Sequence, residues 1–282
     1  MGYDLESILV TGASGYIGNN LFKILKKKYN CIGLSKSNNK FVKIDLLNEH
    51  KVKKIFSNTN PTLVIHCANK LPGNKNFYTN YQITKKILKY FKKPIIFLSS
   101  MTVYNETKNK NLSENLKLKI SKSINPYAYY KKKTEQLIKD RNCNGDISLR
   151  IPGIFGKERK TGLIYKTINA LKNKKNPNIN LFTNNWSAMH IDHLTELIVN
   201  IIETKKIHKS KIVNISYKNQ ISIPIAINLI SKLFKKNLKI KQSNKYKKVV
   251  IQTSIYEKFF CKIKYSLYDG LILSKKEYEN FK

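Results

Sequence analysis

The chain has 282 residues, enough for one large domain or for a main domain carrying a smaller lobe. Aliphatic and aromatic residues make up 41%, which supplies a full core, and no run approaches the ~18 consecutive apolar residues that cross a bilayer. The net charge is +37, but the basic residues are spread over the whole chain, and only Arg141, Arg150 and Arg159 are arginines. With no nucleic-acid-binding signature beside them, a coding bias towards Lys, Asn and Ile explains the charge better than a nucleic-acid partner does. The start of the chain carries Asp4 and Glu6 and no basic region, so no signal peptide is expected. Cys31, Cys67, Cys143 and Cys261 lie far apart without metal spacing, which reads as reduced thiols in a cytoplasmic protein.

Residues 7–11, Ser-Ile-Leu-Val-Thr, read as a short buried strand. The turn Thr11-Gly12-Ala13-Ser14-Gly15-Tyr16-Ile17-Gly18 follows at once, and Ile17, Leu21, Ile24 and Leu25 recur at helical spacing. Glycines at these three places suit a dinucleotide. Gly12 makes a turn that a side chain would obstruct, Gly15 lets the backbone approach a pyrophosphate at the positive end of the helix dipole, and Gly18 lets helix and strand pack closely. Ser14 and Tyr16, with Ile17, join this cofactor set where they touch phosphate. The second strand, 31–35, leads into Ser35-Lys36-Ser37 with no acid to hold a ribose 2′-hydroxyl. Ser35 and Lys36 suit a 2′-phosphate, so NADP(H) is expected ahead of NAD(H), although Lys36 is equally one more surface lysine.

Further strand-like runs at 41–45, 63–68, 95–100 and 147–151 alternate with helical stretches at 49–56, 80–91 and 126–139. Such alternation predicts an α/β fold with a doubly wound parallel sheet. The polar segment 105–125 reads as a surface loop or lid. After Gly156 the regularity weakens to helices at 162–171, 192–204 and 222–234, a strand at 212–217 and a closing helix at 267–281. Ser222 is placed to cap the third of these, with Pro224 in its first turn. The expected organisation is a Rossmann-type cofactor domain over 1–160 and a small C-terminal α/β substrate lobe over 161–282, from which 186–217 return to the first domain.

Tyr127 and Lys131 stand four apart on the helix 126–139 and so share a face. An ammonium beside a phenol favours the phenolate and brings it towards the range of an acid–base catalyst. Among 17 tyrosines such a pair arises by chance, but its context does not. The strand Ile95-Ile96-Phe97-Leu98-Ser99-Ser100 ends in hydroxyls at the edge where a parallel sheet receives its ligand. His66 reads as a hydrogen-bonded structural histidine, Arg150 as ordering the sheet edge, and His190 with His193 as too few ligands for a metal.

Taken together these segments resemble the extended short-chain dehydrogenase/reductase family, in its nucleotide-sugar epimerase/dehydratase branch, essentially from end to end. The glycine turn matches at 11–18, and Asp45-Leu46 resembles the family's adenine-contacting pair. Val64-Ile65-His66-Cys67-Ala68 resembles its fourth strand, which places Cys67 and Ala68 beside the cofactor. Asn80 with Thr84, Ser99-Ser100 with Val103-Tyr104, and Pro126-Tyr127 with Lys131 and Glu135 follow in order. Leu149-Arg150-Ile151-Pro152-Gly153-Ile154-Phe155-Gly156 and Met189-His190-Ile191-Asp192 complete the set. The resemblance implies that Ser100 holds a sugar oxygen, Tyr127 transfers its proton, and Lys131 lowers the tyrosine pKa and grips the nicotinamide ribose. It also implies a homodimer through the helix carrying Tyr127 and its neighbour.

Departures from the pattern narrow the reaction. Met101-Thr102 follow Ser100 where the 4,6-dehydratases place an Asp-Glu pair, so elimination of water is not expected. Trp186-Ser187 stand where many 4-epimerases carry Arg-Asp. The sequence looks most like a small reductase acting on an NDP-4-keto-6-deoxyhexose in deoxysugar biosynthesis. An NDP-hexose 4-epimerase with tightly held NAD is the second reading, and a catalytically silent RNA-binding relative the third.

Overall fold

Every residue of β1 (Ser7–Thr11) is buried, as a strand covered on both faces requires. The computed structural model describes residues 7–69, 76–173, 187–204, 211–218, 221–236 and 249–280. Trp186, Phe281 and the first six residues lie outside them. The strands that follow β1 are β2 (Asn30–Ser35), β3 (Val42–Lys43), β4 (Leu63–His66), β5 (Ile95–Ser100), β6 (Asn111–Leu112) and β7 (Ile147–Ile151). Further along lie β8 (Gly153–Phe155), β9 (Ala188–His190), β10 (Lys211–Asn214) and β11 (Val250–Ile251). Seven of them form one sheet in the order β10-β7-β5-β4-β1-β2-β3. The pairings from β3 through β7 are all parallel, which gives the doubly wound α/β fold expected from the sequence.

Two compact units are present. The first takes in residues 1–107, 117–151 and 198–213. Its helices α1 (Tyr16–Leu25), α2 (Glu49–Thr59), α3 (Tyr78–Tyr90) and α4 (Pro126–Arg141) start and stop on local chemistry. Asn48 caps α2 by accepting from Lys51 N, and Asn125 caps α4 by accepting from Ala128 N, with Pro126 at its first position. Asn60 and Asn142 end the same two helices in the left-handed conformation that asparagine tolerates. Leu9, Val64 and Ile95 from three neighbouring strands pack with Val52 and Phe56 of α2 and Ile87 of α3. Each such side chain contributes roughly 1.5–3 kcal/mol through burial.

The second unit takes in 108–116, 152–197 and 214–282. It holds α5 (Gly162–Lys172), the first half of α6 (Ile191–Thr204), α7 (Ile223–Leu233), α8 (Ser254–Phe259) and α9 (Leu267–Asn280), with the parallel pairs β8–β9 and β6–β11. Ser222 caps α7 as expected, accepting from Ile225 N. Asn214 organises this unit: its amide donates to Leu112 O and Gln252 O, and its backbone N–H donates to buried Glu114. Segment 105–125 is therefore more than a surface loop, because Leu112 and Glu114 are buried within it and β6 pairs with β11. Polarity alone hid a two-residue strand. The strand expected at 41–45 shrinks to Val42–Lys43, both exposed at the sheet edge, and that expected at 212–217 shrinks to β10. Among the described residues no helix is long and apolar enough to cross a membrane.

Candidate active site

The sheet order reverses between β1 and β4, so the connections leaving their C-terminal ends diverge and open a crevice there. Thr11 and His66, paired across those strands, end them. Gly12 follows with φ of +66°, and a Cβ on it would lie 2.7 Å from the backbone of Ala68. A Cβ on Gly18 would lie 2.2 Å from Gly12 O. Only glycine fits at either position. At the N-terminus of α1, Gly15 offers no side chain to cap the helix, and its first turn contains no acid. A bare, positively polarised helix end behind a glycine turn fits a dinucleotide pyrophosphate.

A directional chain of hydrogen bonds fixes this end of the sheet. Ala68 N donates to Thr11 Oγ1 at 3.2 Å, leaving the Thr11 hydroxyl proton for His66 Nδ1 at 2.7 Å. His66 Nε2 then donates to Thr84 Oγ1 at 2.9 Å, and Thr84 donates to Asn80 O at 3.1 Å. This order assigns the Nε2–H tautomer from the network. Burial pushes the His66 pKa down to about 3, so the ring is neutral, and Lys131 nearby acts in the same direction. His66 is thus the structural histidine expected from sequence. Asn80 and Thr84 acquire a physical role as the far end of its chain.

At the end of β2, Ser37 N and Asn38 N both donate to Ser35 Oγ, which leaves the Ser35 proton for Ser14 Oγ at 2.8 Å. Lys36 forms an ion pair with Asp45 at 2.6 Å, and that ammonium holds the Asp45 carboxyl below its usual range. Asp45 Oδ1 also accepts from Leu47 N, beside buried Leu46. The structure therefore brings Ser14, Ser35, Lys36 and Asp45 together around the turn. Cys67 and Ala68 lie against it from β4. Burial pushes the Cys67 thiol up to about 12, so it is protonated at neutral pH.

Ser100, Tyr127 and Lys131 also meet. Ser100 Oγ accepts from both Thr102 N at 3.2 Å and Thr102 Oγ1 at 3.0 Å. Its own proton is left for the Tyr127 hydroxyl, with which it is hydrogen bonded. Lys131 is buried; its Nζ donates to Leu98 O at 2.5 Å and stands 5.7 Å from the Tyr127 ring and 4.6 Å from that of Phe97. Burial lowers its pKa to about 7, against the opposing pull of Cys67 and Glu135. The sequence led us to expect a lowered pKa at Tyr127 through Lys131. In this geometry burial raises it instead, and the groups that pull it back are Ser100 and Asn69.

Behind these residues lies a buried charge network. Glu135, one turn beyond Lys131, accepts from Arg150 Nε at 2.9 Å, from Arg150 Nη2 at 2.7 Å and from Ser99 Oγ at 2.6 Å. Arg150 Nη1 donates to the Tyr104 hydroxyl at 2.6 Å. Arg150 and Ser99 are register partners across β7 and β5, so the network bolts α4 to the strand that ends in Ser100.

Sequence reasoning missed Asn69 and the Thr102 hydroxyl. Neither belongs to a periodic pattern, although Asn69 directly follows the matched strand. It also missed a cluster in the second unit, where ligand atoms of His190, Asp192 and Glu277 lie within 4.8 Å of one another. Lys157 occupies that cluster, its ammonium on Asp192 and its N–H on Glu277, while His190 Nδ1 accepts from Asp192 N. His193 is engaged elsewhere, bonded to the Tyr217 hydroxyl and stacked on Tyr265.

Residues 8–216 match the model of the NAD dependent epimerase/dehydratase family. A UDP-glucose 4-epimerase of Dictyostelium discoideum is 25% identical, covering 76% of this chain and 74% of that protein. A GDP-6-deoxy-D-talose 4-dehydrogenase of Aggregatibacter actinomycetemcomitans is 28% identical over 51% of each. The chain thus spans about half the length of that second relative. Among solved structures, the UDP-glucuronic acid 4-epimerase of Bacillus cereus in complex with NAD aligns with a TM-score of 0.80 at 24% identity, covering 97% of this chain and 99% of that one.

Proposed function

The chain belongs to the NAD dependent epimerase/dehydratase family, and we propose that it is an NAD(P)-dependent oxidoreductase that reduces an NDP-4-keto-6-deoxyhexose at C4. The observation that carries this reading is the meeting of Ser100, Tyr127 and Lys131 at the end of β5, beside the glycine turn. A bound nicotinamide would supply the hydride chemistry. The chain's part is to orient the sugar and move one proton. Ser100, with both lone pairs held by Thr102, has one proton, which rests on the Tyr127 hydroxyl and passes to an oxygen at C4 when the sugar binds. Tyr127 exchanges a proton with that oxygen, and Lys131 supplies positive charge beneath it. Met101 and Thr102 offer no carboxyl group after Ser100, which speaks for reduction rather than elimination of water. The relative that is a 4-dehydrogenase of a GDP-6-deoxyhexose supports the same chemistry.

The cofactor is read as NADP(H). No acid follows β2, and the amides of Ser37 and Asn38 converge on Ser35 where a 2′-phosphate would be received. The second unit is read as the substrate lobe. A homodimer through α3 and α4 belongs to the same reading, and Tyr78, exposed beside Tyr130, supports it.

A second reading, an NDP-hexose 4-epimerase holding NAD, draws on the Lys36–Asp45 ion pair, which neutralises the cation a 2′-phosphate would use. UDP-glucose 4-epimerases among the relatives support it too. Releasing and identifying the cofactor of freshly purified protein separates the two. Retained stoichiometric NAD selects the epimerase; an empty protein that takes up NADPH selects the reductase. Tyr127→Phe should lower NADPH oxidation by dTDP-4-keto-6-deoxyglucose about a hundredfold or more and spare cofactor binding. Near-normal turnover would remove the assigned proton donor.

A further inference from the structure

Tyr127 has a second polar neighbour besides Ser100. Asn69 Nδ2 donates to its hydroxyl oxygen at 3.4 Å, from the chain that leaves β4. The place of Asn69 is fixed by what precedes it. Cys67 N donates to Thr11 O and Ala68 N to Thr11 Oγ1, both at 3.2 Å, so two consecutive residues are tied to the end of β1. Gly12 leaves no room between its Cα and the Ala68 backbone. Asn69 is therefore held by the same strand that carries the glycine turn, while Ser100 approaches from β5 and Tyr127 from α4.

We infer that Asn69 is a positioning residue for proton transfer at Tyr127: its amide holds the phenol oxygen from the segment that follows β4 and stabilises the deprotonated form. The inference rests on the proposed role of Tyr127. A neutral amide suits the task because it can donate but cannot itself lose a proton in the working range. It offsets the burial that otherwise keeps Tyr127 protonated, and Ser100 acts in the same sense. Donors to a phenolate are charge-assisted and stronger than donors to a phenol, so the bond tightens as the proton leaves. Among the described residues, Tyr127 also has the Lys131 ammonium 5.7 Å from its ring and the Phe77 ring in a T-shaped contact. Neither donates a hydrogen bond to the phenol oxygen.

The test titrates Tyr127 directly. Full-length protein is labelled with ¹³Cζ-tyrosine, and the resonance lost in Tyr127→Phe identifies the residue. In Asn69→Ala the titration midpoint of Tyr127 should rise by about one pH unit. In Asn69→Leu, which fills nearly the same space without a donor, it should rise by a similar amount. An unchanged midpoint in both variants overturns the inference. Because Asn69→Leu keeps the volume of the side chain, a purely packing role predicts no shift there. The titration needs no turnover, so it is separable from the proposed function. Loss of that function is read instead from NADPH oxidation by dTDP-4-keto-6-deoxyglucose in the unsubstituted protein.

Discussion

Arg150 grips Glu135 through two nitrogens, at 2.9 and 2.7 Å, and neither side chain is exposed to solvent. The pair joins β7 to α4 directly beneath the residues that carry the candidate chemistry, and it raises the already high proton affinity of Arg150. Ser99 also donates to Glu135, and Arg150 also donates to the Tyr104 hydroxyl. A buried pair of this kind adds little net stability over an apolar core, but it makes each partner intolerant of losing the other.

Removing one charge should therefore cost far more than removing both. Glu135→Gln is expected to destabilise the fold by about 3–5 kcal/mol, because the guanidinium stays buried without a counter-charge. Arg150→Met together with Glu135→Leu should recover much of that loss, the remainder reflecting the hydrogen bonds that Ser99 and Tyr104 make to the pair. Urea unfolding of the two variants measures both. Equal losses in the single and double variants would mean that the charge pairing is not what matters.

Lys131 is a case where the site works against the fold. Its pKa is about 7 when folded and 10.5 when unfolded, because burial disfavours the ammonium. Between these values the unfolded chain binds more protons, so stability rises with pH through that window, and below pH 7 the full cost is present. Lys131→Met should gain about 2 kcal/mol or more at pH 6.5 and lose this advantage towards pH 10.5, while turnover disappears. Denaturation curves at three pH values across the window give the comparison.

His66 shifts stability in the same direction, in a lower pH window. It is neutral in the folded chain with a pKa of about 3, against 6.5 for an ordinary histidine. Between those values the unfolded chain takes up the extra proton. The stability tied to this ring is therefore present above pH 6.5 and lost as pH falls towards 3. Replacing His66 with Gln lowers overall stability but removes this dependence. On going from pH 6.5 to 4.5 the unsubstituted protein should lose about 2 kcal/mol more than His66→Gln does. Parallel losses would place the proton elsewhere.

Lys36 tests the cofactor reading. Its ion pair with Asp45 is exposed, and such pairs are worth little, so the ammonium is available to a stronger anion. Lys36→Ala should weaken NADPH binding roughly threefold or more and leave NADH nearly unchanged. Isothermal titration with both cofactors decides it. An unaltered preference would leave Lys36 with Asp45 alone.

The sequence by itself determined the sheet, the glycine turn and the order of the family motifs. Those features are local, or recur along the chain: apolar runs of five or six residues, Gly12, Gly15 and Gly18 between a strand and a helix, and Tyr127 four before Lys131. It did not reveal β6, β8, β9 or β11, which run two or three residues and are too short for any periodicity to register. Only the tertiary structure decided which groups act on Tyr127. Lys131 is near it in sequence, yet burial, a property of the assembled core, sets the direction of its proton affinity. Asn69 lies 58 residues away and is brought to the phenol by the pairing of β4 with β1. The glycine positions foretold where a dinucleotide would fit; the packing of three separate strands and a helix determines what surrounds the proton beside it.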